Sequence, residues 1–177
     1  MITSPSREQL EVCDVTHTIT KQRIDNARHV LARAFQADPA PSYMIPDANE
    51  RARLLPELYR SVVRYALLYE SIYTFAGDEC GFAVWMKPGS VSIPLHKMIR
   101  AGYLTSYLRV GLNRVGRALN YLNFAEAKRM AIVPEPHWYL FMLGIEPTRQ
   151  NCGLGSELLL PVIARADQER LNIYLDT

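Results

Sequence analysis

The 177-residue chain has only three cysteines, Cys13, Cys80 and Cys152, scattered along it and odd in number. That excludes the paired-cysteine framework of a small secreted domain and fits a reducing, cytoplasmic setting. Four histidines, His17, His29, His96 and His137, keep no metal-ligand spacing with one another or with the cysteines, so no metal is expected. No apolar run approaches the roughly 20 residues that span a bilayer. The first ten residues lack the apolar core a secretory signal needs. A net charge of +2 is too small an excess to argue for nucleic acid as a partner. There is no internal repeat and no low-complexity run.

What is present is an ordinary globular composition, 49% hydrophobic and 21% charged, at a length that suits one domain over residues 1–177. A short strand is predicted over residues 10–15. Helical spacing of Ile24, Val30, Leu31, Ala34 and Phe35 predicts a helix that Asp38-Pro39 stops. A second helix fits residues 49–69, with Leu54, Leu55, Leu58, Val62 and Tyr65 on one stripe. Strands over 71–76 and 81–86, joined at Gly77-Asp78, read as a hairpin. A helical insert follows over about 93–131, broken near Gly111, and Pro134 and Pro136 mark a loop.

Residues 138–145 then read as a strand with no polar face. Alternation puts Tyr139, Phe141, Leu143 and Ile145 on one side and Trp138, Leu140 and Met142 on the other, which predicts a central strand covered on both sides. An amphipathic helix over 153–170 and a short strand over 172–176 complete an α/β order with a mixed sheet. Between strand and helix lies Gln150-Asn151-Cys152-Gly153-Leu154-Gly155. Two glycines at such a turn let backbone approach a ligand, and the free N–H groups of the helix start attract anions, phosphate above all. Asn151 suits a helix cap. Taken alone, Gly-x-Gly is also a common tight turn. A dinucleotide loop would need glycine where Leu158 stands, and a Walker loop would need Gly-Lys-Ser/Thr where Gly155-Ser156-Glu157 stands.

The arrangement Gln150-x-x-Gly153-x-Gly155 after an apolar strand resembles the pyrophosphate loop of the GNAT superfamily of N-acetyltransferases. The branch that includes puromycin N-acetyltransferase shares further features: residues 35–39 (FQADP), Ala83-Val84-Trp85 with Pro88, the run from His137 to Gly155, Leu160-Pro161, and Tyr174 to Thr177. The resemblance implies a mixed sheet flanked by helices, with acetyl-CoA bound on the strand–loop–helix of residues 138–170. The backbone of Leu143, Gly144 and Ile145 would pair with the pantetheine arm. Amides of Gln150, Asn151, Cys152, Gly153, Leu154, Gly155 and Ser156 would hold the pyrophosphate. An acceptor amine of a small molecule would attack the acetyl carbonyl directly, with Glu146 the nearest carboxylate to act as base.

The family commonly carries Gly-Lys or Gly-Arg where this chain has Asn151-Cys152, so backbone amides rather than a basic side chain are expected to hold the pyrophosphate. Cys152, at a helix start, is placed for reaction with oxidants or simply for solvent. Pro161, shared with the resembling branch, should kink its helix. Relatives continue beyond the fifth strand with a helix, two strands and a tyrosine that serves as general acid. The chain is therefore expected to be incomplete at its C-terminus, its last strand an open edge where a second copy could pair. Three readings stay open: an acetyltransferase, an acetyl-CoA-binding fragment that is non-catalytic or completed by a partner, and an interaction module. The last draws on the insert, where residues 87–129 hold eight Lys/Arg against one acid. That basic surface suits a solvated helix face, a lid over the acceptor, or a membrane-surface or acidic-partner contact.

Overall fold

The computed structural model describes residues 11–14, 20–90 and 94–176. Both ends of the first expected strand, His17, the first residue of the insert and Thr177 lie outside them. The elements run β1 (Val12–Asp14), α1 (Lys21–Ala34), α2 (Pro39–Met44), α3 (Ala48–Tyr69), β2 (Ser71–Phe75), β3 (Gly81–Met86), α4 (Leu95–Ala101), α5 (Tyr103–Val110), α6 (Leu112–Ile132), β4 (His137–Ile145), α7 (Leu154–Glu169) and β5 (Asn172–Leu175). A 3-10 turn at Pro147–Arg149 joins β4 to α7. No helix among the described residues is long and apolar enough to cross a membrane.

The sheet order is β1-β2-β3-β4-β5, antiparallel throughout except for the parallel β4–β5 pair. Gly77 turns the β2–β3 hairpin at φ +76°, a region costly for residues with a Cβ. β2 and β3 are almost wholly buried because both faces are covered. On one face Ile72, Phe82, Val84 and Met142 pack with Leu31 of α1 and Leu55 and Leu67 of α3. On the other, Phe75, Trp85, Trp138 and Ile145 pack with Leu158 and Val162 of α7. β4 sits between β3 and β5, inside the sheet as its apolar sequence implies.

Asp38-Pro39 does more than end a helix. α1 stops at Ala34, and Asp38 then caps a new short helix through Ala40 N–H at 2.9 Å, with Pro39 at its first position. The corner is held by Arg51, 8% exposed, whose guanidinium donates to the carbonyls of Gln36 (2.6 Å), Ile45 (2.7 Å) and Pro46 (3.0 Å). Three carbonyl acceptors make a buried charge tolerable. Thr20 and Asp47 cap α1 and α3 in the same side-chain fashion.

The insert is three helices broken at Gly102 (φ +86°) as well as at the expected Gly111 (φ +93°). α5 lies on α3 through Tyr103, which meets Tyr65 edge to face. Arg109 of α5 and Arg28 of α1 clasp Glu57 of α3 at 2.6 and 2.9 Å. Their cations, the Arg109 hydrogen bond foremost, hold that carboxyl below its usual range. The far end of α6 is locked to β4: Arg129 donates to Nε2 of His137 at 2.9 Å. Arginine has no acceptor to offer, so His137 is the neutral tautomer with its proton on Nδ1, donated to the Glu135 carbonyl at 2.7 Å.

Candidate functional site

Strand β4 does not alternate evenly. Trp85 pairs with Leu140 and Val84 with Met142, so Phe141 is an extra residue without a partner on β3, a bulge. The inserted residue shifts the phase of everything after it. Leu143 and Ile145 therefore join Trp138 and Leu140 on the α7 side, while Phe141 and Met142 pack toward α1 and α3. This corrects the even two-face split that the sequence suggests.

The hydrogen-bond phase follows from one contact. Glu146 N–H donates to the Cys80 carbonyl at 2.8 Å, so in an antiparallel ladder the alternate residues Gly144 and Met142 also bond to β3. Leu143 and Ile145 turn their backbone groups to the opposite edge. The β4–β5 ladder covers only His137 to Leu140. At its bulge-side end the hydroxyls of Tyr139 and Tyr174 both donate to Asp176, each at 2.7 Å. From Phe141 to Ile145 no described strand pairs with the outer edge of β4. Apart from the Ile145 carbonyl, which accepts from Gln150, backbone groups there face a cleft rather than a strand.

That cleft, about 280 Å³, is lined by Leu143, Ile145, Gln150, Asn151, Gly153, Leu154 and Gly155, all expected contacts, and by Arg149. Gly144, Cys152 and Ser156 are not among its lining residues. Asn151 takes φ +61° and Gly153 φ +83°, a left-handed pair that swings the chain from the 3-10 turn into α7. Asn151 is thus a bend residue and not the cap that its type suggested. The cap position is Gly153, and no side chain caps the helix start, so the N–H groups of Leu154, Gly155 and Ser156 are left for an external acceptor. The helix dipole makes that acceptor preferably an anion. Gln150 folds back and donates to the Ile145 carbonyl at 3.1 Å, pinning the loop to the strand.

No family model matches the chain. At 29% identity over 159 residues it is similar to an uncharacterised N-acetyltransferase of Schizosaccharomyces pombe, a match taking in 85% of this chain and 63% of that one. It thus spans less than two thirds of that relative's length. In three dimensions it is similar to a solved Corynebacterium glutamicum protein named histone acetyltransferase HPA2 and related acetyltransferase. The TM-score is 0.59 at 21% identity, over 94% of this chain and 75% of that one. The fold is the GNAT fold.

Within this fold the expected residues divide by role. Gly144 packs rather than lines: a Cβ there would lie 2.7 Å from Leu31 Cδ2 and 3.1 Å from Ala34 Cβ, so its absence lets α1 rest on the sheet. Glu146 is not a lining residue either. Both its oxygens accept from Arg33 of α1, at 2.8 and 2.6 Å, and that hydrogen bonding raises the hold of Arg33 on its proton. Cys152 is exposed, with Sγ 3.4 Å from the Gln150 carbonyl. α7 runs unbroken through Pro161. Arg149, which sequence reasoning passed over, is a lining residue of the cleft, and its guanidinium pairs with Asp78 at 2.9 Å. Its signal was simply a basic residue one position before the glutamine of the motif, so the cleft does include a basic side chain.

Proposed function

We propose that this GNAT domain binds acetyl-CoA between the outer edge of β4 and the start of α7, and passes the acetyl group to a primary amine of a small molecule. One observation carries the reading. Outward-facing backbone of Leu143, the Ile145 N–H and the uncapped N–H groups of Leu154 and Gly155 border the same cleft. The first set suits the amide-rich pantetheine arm and the second suits the pyrophosphate, with Arg149 in reach of its charge. In the reaction the amine nitrogen bonds to the acetyl carbon, the carbon–sulfur bond breaks, and CoA leaves as thiolate, which takes a proton. The amine must first lose one. Glu146 as its acceptor draws the least support from the geometry, because both carboxylate oxygens are already taken by Arg33.

Calorimetry with acetyl-CoA and CoA tests the binding half: both should bind, and absence of heat with either would remove the proposal. Thiol release over a panel of small amines tests transfer. A lysine peptide belongs in the panel, given the histone name carried by the Corynebacterium protein. Release with the peptide alone would overturn the small-molecule acceptor. Binding without release from any amine would leave only the cofactor half standing. In the same assay a Glu146→Gln protein should keep its rate within about threefold if the Arg33 pair is structural. A general base would instead cost about 10²–10⁴-fold.

A further inference from the structure

The basic insert presents more than charge. Its eight Lys/Arg against one acid stand in a chain of only +2, so the rest of the molecule is net negative. Some of these cations are spent internally: Arg109 on Glu57, Arg114 on Glu50, and Arg129 on Glu126. Arg100 and Arg117 are exposed and have no carboxylate partner among the described residues. Along the same helices Leu95, Ile99, Leu104, Leu108 and Leu112 succeed one another at four- and five-residue intervals, 59–74% exposed. None of them is needed for packing. α4 buries Ala101 instead, and α5 buries Tyr103, Ser106 and Val110.

We propose that α4, α5 and the first turns of α6 form a docking face for an anionic lipid surface. Soluble monomers seldom leave a row of large aliphatics in water beside unpaired cations. The choice of occupant rests on charge. Exposed Arg100 and Arg117, on the same helices as the aliphatics and without a carboxylate partner among the described residues, complement negative headgroups, and the rest of the chain carries the net negative charge. A deformable interface accepts aliphatic tips wherever they protrude. This inference is independent of the acetyl-CoA reading.

The test is sedimentation of the full chain with vesicles of phosphatidylcholine alone and of phosphatidylcholine and phosphatidylserine in equal parts. Binding is expected to the mixed vesicles only, and to weaken as salt is raised. Leu104→Ser with Leu108→Ser should lower partitioning by about tenfold or more, and Arg100→Glu with Arg117→Glu should do the same by charge alone. Leu95→Ser with Ile99→Ser is a second apolar pair should the first alter the melting temperature. Three results would overturn the proposal. One is no binding, or equal binding to both vesicle types. Another is a concentration-dependent dimer in sedimentation velocity that the Leu104/Leu108 pair abolishes. The third is capture by polyglutamate in preference to vesicles.

Discussion

Ser156→Asp is expected to melt at or above the temperature of the parent protein while binding acetyl-CoA about 10- to 100-fold more weakly. Ser156 is exposed in the first turn of α7, where no side chain caps the backbone. An acid in that turn interacts favourably with the helix dipole, by about 0.3–1 kcal/mol. The same carboxylate would compete for the N–H groups proposed to receive pyrophosphate. At a separation of roughly 5 Å each pair of unit charges would repel by about 1–3 kcal/mol, between water-like and surface-like screening. A stabilised protein with weakened binding separates the anion site from the fold, which a substitution that merely unfolds α7 could not do. Thermal melting and calorimetry on one preparation read both quantities. Unchanged affinity would place the pyrophosphate elsewhere.

Gly144→Val should damage the fold, at a cost of about 3 kcal/mol. That corresponds to a fall of ~6–12 °C in melting temperature for a chain of this size. The first added carbon alone would sit 2.7 Å from Leu31 Cδ2, 3.1 Å from Ala34 Cβ and 3.4 Å from Phe35 Cε2. Leu31 is fully buried and Ala34 has no rotamer to change, so α1 itself would have to lift off β4. Gly116 is the control, since a Cβ there meets nothing within 4 Å. Gly116→Ala in the second turn of α6 should stabilise by about 0.5–1 kcal/mol. Equal melting of Gly144→Val and the parent would mean that the α1–β4 contact is looser than the distances require.

These two glycines also mark where the sequence was legible and where it was not. The hairpin at Gly77, the long helix α3 and the strand–loop–helix around Gly153 could be read directly, because turn chemistry and helical period announce themselves locally. Gly144 could not. A glycine beside a ligand and a glycine beneath a packed helix have the same letter, and only the position of Leu31 and Ala34 tells them apart. The bulge at Phe141 was hidden for a related reason. Every residue from Trp138 to Met142 is apolar, so no polar side chain betrays the point at which the faces exchange. Asp38-Pro39 carries the signature of a helix end and of a helix start at once, and the carbonyls that Arg51 gathers decide in favour of both. Asn151 suits a cap and a left-handed bend equally well; the loop needed the bend. Arg149 lay outside the motif and lines the cleft from the last position of the 3-10 turn.

The bulge has a consequence for solvent exchange. Along β4 the amide hydrogens of Met142 and Gly144 are donated into the sheet, whereas those of Leu143 and Ile145 point to the open edge. In deuterated water this strand should therefore label at every second residue, fast at Leu143 and Ile145 and slow at Met142 and Gly144. A ligand lying along the edge would erase that striping. The residue-by-residue rhythm of exchange in one strand thus reports occupancy of the cleft without reference to any chemistry done there.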